Sequence, residues 1–152
     1  MQLINITGKI TGQDARSHID HIFRVDKPCK CLKIIFNYYP AHLENKAYSE
    51  RLIRECFVKF TGSVNEEKVK NYIPLKNLLT LSVDSPKGCL GTAHRHQAKQ
   101  EHIISAGKAS RGFMPAEIIK GEWNVTVSVH SIITDNIDYY LSLEAYDDLL
   151  SF

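Results

Sequence analysis

The residues best suited to chemistry in this 152-residue chain cluster around one run, which opens with His94-Arg95-His96. An H-x-H pair on a strand points both imidazoles to the same face, where neutral ring nitrogens can bind a metal. His102 follows six residues after His96, and His130 lies on the polar face of a later strand. The sequence therefore predicts a candidate site for zinc or another divalent metal at His94, His96, His102 and His130.

The same histidines have a simpler interpretation, which we favour. Short motifs match by chance often, and His94 and His96 are equally compatible with a solvent-exposed face or a hydrogen-bonded sheet edge. If a metal does bind with one open position, hydrolysis becomes accessible, with Glu101 as the candidate base. Ser105 and Ser110 lack the G-x-S-x-G turn of a serine nucleophile, so no residue is assigned as catalytic.

Charge is distributed unevenly along the second half of the chain. Between residues 87 and 111 five basic residues accompany a single acid, Glu101, whereas residues 135–148 carry five acids and no Lys or Arg. Arginine suits planar, bidentate contacts with phosphate or carboxylate. The candidate ligand-binding residues are therefore Arg95, Lys99 and Arg111, with Trp123 as a stacking candidate. The alternatives, which we favour, are a solvated loop and a core tryptophan.

Composition bounds the remaining possibilities. Hydrophobic residues at 43%, charged residues at 24% and a formal charge of +2 are ordinary for one globular domain and argue against nucleic acid and membrane partners. No apolar run is long enough to span a membrane, and Met1–Ile10 lacks the features of a secretory signal, so we expect a cytoplasmic protein. The four cysteines fit neither a zinc motif nor a disulfide framework, which predicts reduced, mostly buried thiols.

The elements that must position these residues are mostly strands. Period-two alternation and β-branched or aromatic residues predict strands at 3–6, 18–25, 31–39, 77–83, 123–130 and 137–143. The last two are predicted to form a hairpin through Thr134-Asp135-Asn136. Apolar residues at three- and four-residue spacing predict one amphipathic helix over 45–60, ending at Thr61-Gly62, and a further helical turn within 66–72.

With a short extended piece at 113–119 and the strand assumed to carry His94 and His96, the count is about eight strands, which with one or two short helices predicts a mainly β protein. The most economical architecture is a two-sheet antiparallel β-sandwich with jelly-roll-like topology. The whole chain, 1–152, is predicted to be a single domain with a helical insertion at about 45–73.

One part of the sequence resembles a known domain. The motif consists of Ala109-Ser-Arg-Gly-Phe-Met-Pro115, then Ile118-Ile-Lys-Gly-Glu-Trp123, then the alternating Val125-Thr-Val127. It resembles the bacterial β-sandwich domain that precedes the catalytic domain in some metallohydrolases of the polymerase-and-histidinol-phosphatase (PHP) type. The likeness covers 78–143 and departs from the pattern at Arg111 and Ala116, where proline and glycine are usual. It implies a free-standing, non-catalytic accessory or binding module.

Three functions remain open at this point. The leading one is a binding or interaction module whose loops at 93–97 and 105–113 contact a small polar or anionic ligand, sugar-like or phosphate-like, or a protein partner. The second is a small metal-dependent hydrolase that uses the histidines. The third is a structural protein that forms homo-oligomers through its sheet edges.

Overall fold

The computed structural model describes residues 1–150 as two packed four-stranded antiparallel sheets. The strands are β1 Gln2–Thr11, β2 His18–Val25, β3 Cys31–Tyr39, β4 Leu78–Ser85, β5 Gly88–Ala93, β6 Lys99–Ser105, β7 Gly121–Ser131 and β8 Asn136–Tyr146. The first sheet has the order β1-β8-β3-β6 and the second has the order β2-β7-β4-β5. This is the two-sheet arrangement of a jelly roll, so the predicted fold class is confirmed.

The core lies between the two sheets and follows from the alternation of the strands. In β7 the residues Trp123, Val125, Val127 and Val129 are buried. The first sheet contributes the buried side chains of β3 and β8, which are Leu32, Ile34, Phe36, Tyr38, Ile137, Tyr139, Leu141 and Leu143. Because successive side chains on a strand point to opposite faces, the polar residues between them are left on the outer faces.

The predicted helices are present between β3 and β4. Helix α1 covers Lys46–Thr61, α2 covers Glu66–Val69, and a 3₁₀ turn follows at Lys70–Tyr72. The Asn45 side chain begins α1 by accepting a hydrogen bond from the Tyr48 backbone N–H at 2.9 Å. Gly62 ends the helix with a φ of +78°, a left-handed conformation that glycine adopts without a steric penalty.

The predicted hairpin between the last two strands is wrong. β7 lies in the second sheet and β8 in the first, so the connection between them crosses from one sheet to the other. The buried Asn77 holds this crossing: its Oδ1 accepts from the Ile133 N–H at 2.7 Å, and its Nδ2 donates to Thr134 Oγ1 at 2.8 Å. A short turn sequence indicates a change of direction but not which strand comes next in space.

The segment 106–120 connects β6 to β7 and joins the neighbouring edges of the two sheets. On β6 the Ile103 carbonyl accepts from the Ser110 N–H at 2.8 Å, and on β5 the Leu90 carbonyl accepts from the Met114 N–H at 2.7 Å. These bonds use backbone groups that an open sheet edge would leave without partners. The stretch that carries the family resemblance therefore closes one side of the sandwich.

The structure also shows where the cysteines lie. All four cysteines are free thiols, but Cys56 and Cys89 are exposed, so the prediction of mostly buried thiols is wrong for those two. Within residues 1–150, every helix is too short or too polar to cross a membrane.

Candidate functional site: a basic cleft beside the sandwich edge

Arg95, Lys99 and Arg111, which the charge pattern singled out as candidate ligand-binding residues, lie close together in the structure. They line a cavity of about 420 Å³ between the β5–β6 connection, strand β6 and the segment 106–120. A second cavity of about 640 Å³ shares Arg95 and Arg111 in its wall and adds Lys76. We call the two cavities together the basic cleft. Its residues are Lys76, Thr92, His94, Arg95, His96, Gln97, Lys99, Gln100, Glu101, His102, Ile103, Ser110, Arg111 and Gly112.

Two glycines allow the Arg111 segment to pass close to β5. A Cβ atom on Gly112 would lie 2.7 Å from the Thr92 carbonyl oxygen, and one on Gly91 would lie 2.3 Å from the Gly112 carbonyl oxygen. Both residues also have φ above +100°, a conformation that side chains other than glycine rarely adopt. The close approach of the two backbones is what places Arg111 next to the β5–β6 connection that carries Arg95.

Backbone and amide contacts fix the other wall of the cleft. The Arg95 backbone N–H donates to the Ala93 carbonyl at 3.0 Å. The Nη2 atom of the Arg95 side chain lies 3.5 Å from the Arg111 carbonyl. The Gln100 side chain donates from Nε2 to the Gln97 carbonyl at 2.8 Å. The connection that carries Arg95 is therefore tied to both β6 and the Arg111 segment.

Within the described part of the chain, the cations of the cleft have no acidic partners. Across residues 1–150, none of Lys76, Arg95, Lys99 and Arg111 forms a salt bridge, although eight such bridges join other residues. The acid in the wall, Glu101, is paired with Lys33 of β3 at 3.0 Å. Cations that converge on a concave surface without counter-charges raise the local concentration of anions. The cleft is therefore built to attract negative charge.

His102 contributes a buried, uncharged imidazole to the wall of the smaller cavity. It is 2% exposed, its ring packs edge-on against Phe113 at 5.2 Å, and its Nε2 lies 3.0 Å from Gln100 Oε1. Burial, with a smaller effect of the nearby Arg95 charge, lowers the pKa of His102 to about 4. Its Nδ1 is buried without a hydrogen-bond partner in the described part of the chain.

Three of the four predicted metal ligands are neighbours. The rings of His94 and His96 are 6.2 Å apart, and those of His94 and His130 are 5.3 Å apart. Residues 94 and 96 follow the end of β5, so the predicted placement of the H-x-H pair on a strand is wrong. His130 Nε2 is 2.7 Å from Thr80 Oγ1, and burial, followed by the charges of His94 and His18, lowers its pKa.

His102 does not join this trio through a ring contact, since its aromatic neighbour is Phe113. From Met1 to Leu150, no three His, Cys, Asp or Glu side chains are grouped so that they could hold a metal ion. The four-histidine metal site thus stays a prediction, with three of its members adjacent and the fourth in a different environment.

Trp123 lies in the core rather than in the cleft, as the alternative interpretation had it. Its side chain is 1% exposed and stacks on Phe23 with ring centroids 6.3 Å apart. The indole Nε1 donates to the Ile119 carbonyl at 3.0 Å, which ties β7 to the end of the segment 106–120. A tryptophan in this position supports the fold and offers no ring face to a ligand.

Sequence reasoning missed several residues of the cleft. Lys76 reaches it from the segment before β4, Gln100 contributes a polar group to its wall, and Gln97 and Ser110 lie in the predicted binding loops but were not singled out as ligand-binding residues. None of them belongs to a recognisable motif. For Gln97, Gln100 and Ser110 the available signal was proximity to the basic run, whereas nothing in the sequence links Lys76 to it.

Comparisons with known proteins assign no family. No family model matches the chain, and no curated protein matches it. Among solved structures, it is similar to a protein from Sulfurospirillum deleyianum at 9% sequence identity, over 93% of this chain and 98% of that chain, with a TM-score of 0.35. A superposition at that score supports no conclusion about fold or function.

Proposed function

We propose that this protein is a non-catalytic binding module that takes a small organic anion, phosphorylated or carboxylated, in the basic cleft. The observation that carries the proposal is the convergence of Arg95, Lys99, Arg111 and Lys76 on one concave surface without acidic partners among residues 1–150. Cavities of 420 and 640 Å³ fall within the usual size range for small-molecule sites.

The chemistry of the two arginines favours phosphate or carboxylate over other anions. A guanidinium presents a planar fork of donors that matches two oxygens of either group. Arg95 and Arg111 come from separate segments, which meet where Arg95 Nη2 lies 3.5 Å from the Arg111 backbone carbonyl, and both residues line both cavities, so an anion in the cleft would have a guanidinium available from each segment. Lys99 and Lys76 would add positive charge without fixed geometry.

The resemblance to the domain that precedes PHP-type catalytic domains is consistent with a non-catalytic role, and we include that relationship in the proposal. A cytoplasmic location is also part of it. Four free thiols, two of them exposed, are compatible with a reducing compartment.

The proposal is tested by calorimetric titration of inorganic phosphate at low ionic strength. The variant combines Arg95→Ala with Arg111→Ala, and the control combines Arg51→Ala with Arg54→Ala, which removes the same charge from helix α1. We expect the cleft variant to bind at least tenfold more weakly, because hydrogen bonds to charged groups contribute about 1.5–3 kcal/mol each. The control should bind like the parent protein. Equal weakening in both variants would mean that only net charge matters, and the proposal would be abandoned.

A metal-dependent hydrolase is the second candidate: the rings of His94, His96 and His130 are neighbours, although within residues 1–150 no three His, Cys, Asp or Glu side chains are grouped so that they could hold a metal ion. Elemental analysis of untagged protein, repeated on a variant with His94→Ala and His96→Ala, distinguishes the two functions. One metal per chain, lost in the folded variant, would place the hydrolase first. Metal-free protein that takes up no added zinc would remove it.

A further inference from the structure

A second cavity wall with polar and aromatic groups lies on the outer face of the first sheet, beside the basic cleft. The cavity has a volume of about 720 Å³, and side chains of β1, β3 and β8 line it. That volume is in the usual range for small-molecule sites. We call this surface the tyrosine face, and its residues are Thr7, Lys9, Asn37, Tyr39, Asp138 and Tyr140.

The register of the strands places these residues in two neighbouring rows. In the first row, Tyr140 of β8 is paired with Thr7 of β1 on one side and with Asn37 of β3 on the other. The second row consists of Lys9, Asp138 and Tyr39. Alternate residues of a strand point to the same side of a sheet, so both rows point away from the core, and Tyr39 is 71% exposed. The surface therefore presents two tyrosine rings among short polar side chains.

The aromatic and polar groups of the tyrosine face have no partners in the described part of the chain. Among residues 1–150, the rings of Tyr39 and Tyr140 form no contact with another aromatic ring or with a cation. Within the same residues, their hydroxyl groups, the Thr7 hydroxyl and the Asn37 amide form no hydrogen bond. All of these groups are therefore available to a ligand.

The chemistry of these groups fits a sugar better than a free anion or an apolar chain. Lys9 and Asp138 form a salt bridge at 3.6 Å, so the charges of this surface are balanced. Hydroxyl and amide groups both donate and accept hydrogen bonds, as the hydroxyl groups of a sugar do. A tyrosine ring adds an apolar face on which the C–H side of a pyranose ring can pack. A saccharide satisfies both kinds of group.

Lys99 joins the tyrosine face to the basic cleft. It is paired with Asn37 across β3 and β6, so it continues the row that contains Tyr140. It also lines the 720 Å³ cavity and the 420 Å³ cavity, which contains Arg95 and Arg111. A ligand that extends past Lys99 would therefore contact neutral polar groups on one side and unpaired cations on the other.

We propose that the ligand of this protein is an acidic oligosaccharide, whose sugar rings pack on Tyr39 and Tyr140 while its carboxylate or phosphate lies in the basic cleft. The placement of the acidic group rests on the proposed function. The tyrosine face adds the class of molecule that carries this group.

The experiment uses an array of oligosaccharides in which each uronic acid or sugar phosphate is matched with its neutral counterpart. The labelled parent protein is compared with a variant that combines Tyr39→Ala and Tyr140→Ala. The control is Tyr72→Ala, which removes an exposed tyrosine outside the tyrosine face. We expect the parent to retain acidic glycans in preference to their neutral counterparts. In calorimetric titration of a retained glycan, the tyrosine variant should bind about tenfold more weakly, because two ring contacts are lost, and the control should match the parent.

The outcomes separate this inference from the function on which it rests. Equal affinity of the parent and the tyrosine variant would overturn the inference and leave the anion site standing. Equal retention of the acidic and neutral members of each pair would overturn the acidic class of the ligand. If no glycan is retained, the inference is overturned, and the phosphate titration decides the proposed function separately. A parent dimer in sedimentation that the tyrosine variant loses would assign the face to a second copy of the chain and would also overturn it.

A measurement on the parent protein keeps the inference testable if the tyrosine variant does not fold. Two-dimensional ¹H–¹⁵N spectra recorded with a retained glycan should show saturable shifts of the amides at 37–39 and 138–140. Shifts confined to the basic cleft would contradict a role for the tyrosine face.

Discussion

Arginines occupy two contrasting settings in this molecule. On helix α1, Arg54 contacts Glu66 at 3.1 Å and Glu50 at 3.5 Å, and Arg51 contacts Glu55 at 3.7 Å. In the basic cleft, Arg95 and Arg111 form no salt bridge within residues 1–150 and face a cavity. The two arginines of the helix are paired with acids, whereas the two arginines of the cleft form no such pair among residues 1–150.

The difference shows that the number of charged residues in a stretch of sequence does not reveal whether those residues are paired with each other or available to a ligand. Arg51 and Arg54 meet acids four residues away on their own helix, so their pairing is local and can be read from spacing. Glu101 lies within the basic run and could have balanced it. Its partner is instead Lys33 on the neighbouring strand β3, and no other acid of residues 1–150 pairs with the arginines of the cleft.

The largest expected effect comes from Gly112→Ala. The new Cβ would lie 2.7 Å from the Thr92 carbonyl oxygen in a conformation with φ of +104°. We expect a loss of roughly 2–4 kcal/mol in the free energy of unfolding, and weaker binding of phosphate because Arg111 moves. Urea denaturation and calorimetric titration measure the two quantities.

The matched control for this variant is Gly62→Ala at the end of helix α1. Gly62 has a φ of +78°, but a Cβ there has no atom within 4 Å. Gly62→Ala should lower the free energy of unfolding by about 1 kcal/mol, because alanine disfavours the left-handed conformation. It should not change the affinity for phosphate. If both variants lost the same stability and bound phosphate equally well, the close approach of the two backbones would not be what shapes the cleft.

An effect of similar size or smaller, at most about 3 kcal/mol, is expected from the titration of His102. Its pKa is about 4 in the folded protein and about 6.5 when unfolded, so the unfolded chain takes up a proton first as the pH falls. The stability that the neutral ring confers is complete above pH 6.5 and is lost progressively down to pH 4. Urea unfolding at pH 7 and pH 4 should therefore show a smaller difference in His102→Leu than in the parent.

His21 and His130 also have lowered pKa values, chiefly through burial, and they titrate in the same direction. Both are present in the parent and in His102→Leu, so their contributions cancel in the comparison. An identical pH dependence of stability in the two proteins would show that His102 is not buried as a neutral ring.

The fold was largely predictable because its strands are strongly patterned. The alternation of Trp123, Val125 and Val127 with polar residues has one explanation, a strand with a single buried face, and α1 has a matching helical period with Gly62 at its end. The pairing of strands was not predictable to the same degree. Strand β8 pairs with β1 and β3 in the other sheet, and the buried Asn77, which bonds residues 133 and 134 at the crossing, is distant in sequence from both strands that the crossing joins.

The residues of the candidate site were predictable when they are close in sequence and not predictable when only the fold brings them together. Arg95, Lys99 and Arg111 were found because they lie within one short stretch of sequence. Lys76 was missed because it joins them only through the folding of the second sheet. The burial of His102 was also not predictable, since its ring packs against Phe113, which lies on a different segment of the chain.

The most direct test of the anion site is a map of backbone amide shifts during titration with phosphate. Two-dimensional ¹H–¹⁵N spectra of the parent protein should show saturable shifts at residues 95–101 and 110–112, and the amides of helix α1 should stay in place. Shifts centred on α1, or linear shifts over the whole surface without saturation, would contradict the claim that the unpaired arginines of the cleft form the binding site.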